Sequence, residues 1–142
     1  MSSSGSSASS PSPQIPDCEG PLPQKAIEGL ELFNRGQYWQ AHEALEAAWR
    51  AESGPVRELY RGVLQAGVVY LHITRQNYAG AIKVYRRSQK WLTLWPETCR
   101  GIAIGQLQKD LQRAILQVQA LGPERMAEFD LSILKPVVYK QS

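Results

Sequence analysis

The chain has 142 residues, of which 43% are hydrophobic and 20% charged, and its net charge is +3 with a pI near 9.0. These values are typical of one soluble globular domain, and the length is too short for two. No apolar run approaches the roughly 18 residues of a transmembrane helix, so we expect no membrane association. The mild basic excess permits an acidic partner without requiring one.

Residues 1–21 are rich in Ser, Pro and Gly, and this composition predicts a disordered tail. The segment has too few apolar residues to offset an ordering cost of about 1–2 kcal/mol per residue. It lacks the features of a secretory or organelle targeting signal. Cys18 and Cys99 lie far apart in the sequence, and we expect neither a disulfide framework nor a paired-thiolate metal site. These features favour a cytoplasmic location.

Helical periodicity predicts a single domain over residues 22–138, followed by a short tail at 139–142. Pro23 suits a first helical turn, Asn77 is a candidate N-cap, and Gly36 and Pro96 are typical of helix ends. No alternating strand pattern competes with the helices. The predicted helices cover residues 23–35, 37–52, 55–75, 78–94 and 104–121.

A weak internal repeat relates NRGQYWQA at 34–41 to TRQNYAGA at 74–81. Both copies place an Arg, a turn residue, a Tyr and an Ala where one helix ends and the next begins. Each copy therefore predicts a tight helical hairpin. The fold class is all-α: a five-helix bundle of two stacked hairpins plus a C-terminal helix, with packing like that of tetratricopeptide repeats.

The segment HEALE at 42–46 resembles half of a zinc hydrolase motif. At 100° per residue, His42 falls within the apolar stripe of its helix, Glu46 at the edge and Glu43 toward solvent. A metallopeptidase needs a second histidine where Glu46 stands, and its base would be the outward-facing Glu43. The motif therefore does not predict a zinc hydrolase.

The third predicted helix carries one polar line on a mostly apolar surface. We expect this line to face His42 and Glu46, either as a sealed hydrogen-bond network or as an open ligand pocket, because unpaired buried polar groups cost about 1–3 kcal/mol. If a metal is bound, its ligands would be His42, Glu46 and His72; no cofactor and no catalytic residue are assigned. The line consists of Glu58, Arg61, Gln65 and His72.

The fourth predicted helix presents a basic face to solvent, formed by Lys83, Arg86, Arg87 and Lys90. No acidic residue lies among them, so the face could hold an acidic protein or a small acidic ligand. Specific nucleic-acid binding is not favoured, because exposed aromatics for base stacking are not evident beside the cations.

Three segments together resemble the small all-helical bacterial family called domain of unknown function 309, in its cyanobacterial form: FNRGQYWQAHEALEAAWR, YRGVLQAGVVYLHITRQNYAGA and ILKP. The resemblance covers about residues 24–138 and implies a compact bundle of tetratricopeptide-like hairpins, with no implied activity. Gln76 stands where the family often has Gly. The positions that the resemblance singles out include Phe33, Asn34, Gly36, Tyr38, His42, Glu46, Trp49, Gln65, His72 and Asn77.

Two classes of function follow from these features. The favoured one is a non-enzymatic binding or interaction module, acting through the groove between the hairpins or through the basic face. The alternative is a metal-dependent or acid–base enzyme centred on His42, Glu46 and His72. No Ser or Cys is plausibly placed beside either histidine to act as a nucleophile.

Overall fold

Five α-helices dominate the computed structural model, which describes residues 16–141. The predicted all-α class is confirmed, and most helix ends lie within two residues of their predicted positions. No helix in the described range has the length and apolarity needed to cross a bilayer. The predicted tail lies mostly outside that range. The helices are α1 (Gln24–Asn34), α2 (Tyr38–Ala51), α3 (Arg57–Thr74), α4 (Tyr78–Leu92) and α5 (Ile104–Leu121).

The two turns of the predicted repeat have the same backbone geometry. In the first, Gly36 has a φ of 78° and the N–H of Gln37 donates to the carbonyl of Leu32 at 3.0 Å. In the second, Gln76 has a φ of 58° and the N–H of Asn77 donates to the carbonyl of His72 at 2.8 Å. Both are Schellman endings with a left-handed residue after the helix. The Asn77 side chain then caps α4 by accepting from the N–H of Gly80, as predicted.

The core lies between sequential antiparallel helices, with α1 packing on α2, α2 on α3 and α3 on α4. An aromatic cluster of Phe33, Tyr38 and Tyr70 joins the first three helices, with ring centroids 5.3–5.7 Å apart. Gly29 brings α1 close to α2, because a Cβ at this position would collide with Leu45. The helix α5 packs less extensively on α4.

Between α4 and α5 the chain forms a short antiparallel hairpin of β1 (Thr98–Cys99) and β2 (Ile102–Ala103), which the sequence did not predict. After α5, two short 3-10 helices lead the C-terminal segment back to this hairpin. Asn34 holds that segment with two hydrogen bonds, donating to the carbonyl of Val137 at 3.0 Å and accepting from its N–H at 2.7 Å. The segment therefore completes the core with the buried side chain of Val137.

Cys18 and Cys99 form a disulfide, so the prediction that they would not pair is wrong. A 3-10 helix at Pro16–Glu19 brings the N-terminal segment to the β-hairpin, although 81 positions separate the two cysteines. Arg100 supports the same junction: its guanidinium donates to the Tyr60 hydroxyl at 2.9 Å and to the carbonyl of Pro21 at 3.2 Å. Residues 16–21, assigned to the tail by composition, are thus tied covalently to the domain, and the cysteines no longer support a reducing compartment.

Candidate functional site

His42, the first of the predicted site residues, lies half-buried on α2. Its ring stacks on Trp39 with centroids 5.1 Å apart and an interplanar angle of 11°. Its buried Nδ1 finds no hydrogen-bond partner within residues 16–141. The ring is therefore held by stacking rather than by the predicted network.

The other members of the predicted network contact neighbours on their own helices. Glu46 pairs with Arg50 one turn later, with Nη2 and Oε2 3.5 Å apart, and Arg61 pairs with Glu58 at the same distance. The buried Oε1 of Gln65 accepts no hydrogen bond from the described residues. No hydrogen bond or ion pair in the described part of the chain joins His42 or Glu46 to the polar line. Glu46 and Arg61 instead pair with neighbours on their own helices.

His72 belongs to the turn between α3 and α4. Its Nδ1 lies 3.1 Å from Nδ2 of Asn77, whose Oδ1 caps α4. Because the amide nitrogen can only donate, Nδ1 accepts and the imidazole is neutral in this bond. Burial, and then the charge of Arg75, lower the pKa of His72. The sequence signal for this contact is the separation of five residues between His72 and the predicted N-cap Asn77.

The hairpin register separates the three candidate metal ligands. Trp49 of α2 contacts both Arg57 and Arg61 of α3, so the antiparallel helices place His42 level with about residue 66. His72 then lies about 9 Å further along the bundle axis, at about 1.5 Å per residue. No group of three or more His, Cys, Asp or Glu side chains in the described residues is arranged to hold a metal ion.

A row of cations and indoles occupies the seam where the predicted network was expected. The guanidinium of Arg61 lies between two indoles, 4.5 Å from the ring centroid of Trp49 and 4.8 Å from that of Trp91. Arg57 covers Trp49 at 4.4 Å, and Lys90 lies 5.3 Å from Trp91. These cation–π contacts hold the arginines in place at about 0.5–1 kcal/mol each where solvent reaches them. Sequence periodicity alone could not pair residues on three different helices.

The basic face of α4 has the predicted composition and exposure. Lys83, Arg86, Arg87 and Lys90 are all exposed, and none forms an ion pair with a carboxylate of residues 16–141. They line one shallow, open groove of about 740 Å³ whose apolar part is formed by Tyr78, Ala79 and Ile82. Lys90 joins this groove to the row of cations and indoles through Trp91. The described structure thus carries one continuous basic surface over α4 and the start of α3.

Taken together, this architecture is that of an all-helical hairpin domain with a basic groove. Residues 26–84, from α1 to the middle of α4, match the family described as Domain of unknown function (DUF309). The match confirms, over residues 26–84, the resemblance predicted from the sequence. An uncharacterized protein from Aquifex aeolicus (strain VF5) is 24% identical over 89 residues, which are 62% of this chain. The chain spans about a quarter of that relative's length, since the match covers 27% of it.

Proposed function

We propose that this protein is a non-enzymatic binding module whose basic groove on α4 takes an acidic segment of a partner protein. The observation that carries the proposal is the unpaired state of the four groove cations within residues 16–141, next to an apolar floor. Cations that an intramolecular carboxylate does not neutralise are available to a ligand.

The lining of the groove favours a protein segment over a small anion. Tyr78 and Ile82 are half-buried and offer apolar contact area, whereas Lys83 and Arg86 supply charge close by. A partner that matches both features is an amphipathic segment whose apolar residues are flanked by Asp or Glu. A phosphate or a small carboxylate would use the cations and leave the apolar floor uncovered.

The adjoining row of cations and indoles supports the same class of partner. The indoles restrain Arg57 and Arg61, so less side-chain entropy is lost when their remaining N–H groups bind an anion. Glu58 partly neutralises Arg61, and the strongest positive potential is therefore expected over α4.

A designed helical peptide with one leucine stripe flanked by glutamates is the probe for this proposal. We expect saturable binding with a Kd in the micromolar range, weakening steeply with added salt because exposed charges dominate. The matched control peptide has glutamine in place of glutamate and should bind at least about tenfold more weakly. Equal binding of the two peptides would contradict the proposal.

A further inference from the structure

A second cavity, of about 330 Å³, lies on another side of α4, between its C-terminal half and the start of α5. Its volume is at the lower end of the range for small-molecule sites, about 300–1,000 Å³. The lining is mainly polar and includes three glutamine side chains and two opposite charges. We call this cavity the amide pocket. Its polar lining consists of Gln89, Glu97, Gln108, Lys109 and Gln112.

Hydrogen-bond acceptors predominate on one side of the amide pocket. The amide nitrogen of Gln89 donates to the Ser88 hydroxyl at 3.3 Å, and that of Gln108 donates to the carbonyl of Leu92. The side-chain oxygens of both glutamines accept no hydrogen bond from the described residues. Together with the carboxylate of Glu97, they form an acceptor set suited to an ammonium group, which has three donors and no acceptor.

Gly105 allows the Glu97 carboxylate to take its place in this set. A Cβ at position 105 would collide with the carboxylate oxygens of Glu97, which lie against the first turn of α5. The N–H of Gly105 also donates to the Glu97 carbonyl at 3.0 Å and fixes the approach of the loop. A side chain at this position would therefore displace the carboxylate.

Lys109 supplies the opposite charge from α5. Neither Lys109 nor Glu97 forms an ion pair within the described part of the chain. A ligand that carries both charges would neutralise both side chains at once. Trp95, with 9% of its surface exposed, lies in the same wall, and its buried Nε1 has no acceptor among residues 16–141.

We propose that the amide pocket binds a small zwitterion of the α-amino acid class, with its ammonium at Glu97, Gln89 and Gln108 and its carboxylate at Lys109. This site is distinct from the basic groove and independent of the function proposed for it. The pocket is too small for a peptide of more than a few residues.

The test is a titration of the full chain with the free α-amino acids, followed by the indole N–H resonance of Trp95 in ¹⁵N spectra. We expect at least one amino acid to shift this resonance with a Kd of about 1 mM or tighter. The matching amine without a carboxylate and the matching acid without an amine should each bind at least about tenfold more weakly.

Glu97→Gln and Lys109→Gln should each weaken binding at least about tenfold, with the melting temperature unchanged because both side chains are exposed. Arg113→Gln, outside the pocket, is the matched control and should bind like the wild type. Gly105→Ala should also weaken binding, because it displaces the Glu97 carboxylate. If this variant fails to fold, Glu97→Gln and Lys109→Gln decide the question. Failure of every amino acid to shift the resonance at about 10 mM, or equal binding of the amine, would overturn the proposal.

Discussion

Single side chains at the core show which polar groups stabilise the fold. The Tyr60 hydroxyl accepts a hydrogen bond from Arg100 at 2.9 Å, whereas the buried Tyr70 hydroxyl has no partner in the described residues. Burial, followed by the charges of Asp110 and Tyr38, raises the pKa of Tyr70 far above its usual value, so the phenol stays neutral. The two tyrosines thus form a matched pair of nearly identical size and burial.

We predict that Tyr60→Phe lowers the free energy of unfolding by about 1–2 kcal/mol, because it removes an acceptor from a charged donor. Tyr70→Phe should be neutral or slightly stabilising, since it removes a buried hydroxyl without a partner. Urea unfolding of the two variants measures both values. Equal losses in the two variants would contradict the assignment of these hydroxyls.

The lowered pKa of His72 predicts a dependence of stability on pH. The unfolded imidazole, with a pKa of about 6.5, takes up a proton before the folded one, so its contribution is complete above this pH. The contribution declines as the pH falls below about 6.5 and levels off below the folded pKa. An NMR titration should give a His72 pKa below that of a model peptide, and His72→Gln should reduce the loss of stability on acidification. A His72 pKa at or above about 6.5 would be inconsistent with its bond to Asn77.

The hairpin turns are the clearest feature at the scale of secondary-structure elements. The repeat correctly predicted two equivalent turns. In each turn a residue with left-handed backbone, Gly36 or Gln76, precedes a tyrosine by two positions. Gln76 pays a conformational cost of about 1–2 kcal/mol at a φ of 58°, whereas Gly36 at 78° does not.

We therefore predict that Gln76→Gly raises the free energy of unfolding by up to about 1 kcal/mol, after the greater entropy of glycine in the unfolded chain is subtracted. The reverse change, Gly36→Gln, should lower it by a similar amount, since open space surrounds a Cβ there and only backbone strain opposes it. Thermal melts test the pair. Destabilisation by Gln76→Gly would show that side-chain contacts outweigh the strain.

The disulfide joins two elements that are remote in sequence. Because the bond restricts the unfolded chain, its 81-residue separation implies a stabilisation of about 4–5 kcal/mol in the chain-entropy model. Reduction should lower the free energy of unfolding by this amount and therefore lower the urea midpoint. The midpoint of a Cys18→Ser, Cys99→Ser double variant should not change when reductant is added. An unchanged midpoint on reduction would argue against a stabilising bond.

At the scale of the whole molecule, the sequence predicted local features better than long-range ones. Helix positions, the Asn77 cap and the exposure of Lys83 on α4 follow from periodicity and residue type, which act over a few residues. The disulfide and the hold of Asn34 on Val137 could not be predicted, because each joins parts of the chain that only the folded topology brings together.

The expected network failed for a related reason. Helical wheels place His42 and Gln65 on facing sides of two helices but give neither their axial level nor the reach of neighbouring arginines. The structure fills the seam with Trp49 and Arg61 instead. The sequence therefore identified two helices that pack together, α2 and α3, but not the contacts between their side chains. The exposed basic face could be predicted from the sequence of α4 alone.

Charge reversal of the basic groove is a direct test of the proposed binding site on α4. The variant carries Glu at Lys83, Arg86, Arg87 and Lys90, and the control carries Glu at four other exposed cations, Arg35, Arg113, Lys135 and Lys140, so both have the same net charge. We predict that the groove variant keeps its helical fold and binds the acidic peptide at least about tenfold more weakly than the control, measured by fluorescence anisotropy at low salt. Equal affinities of the two variants would contradict a binding site on α4.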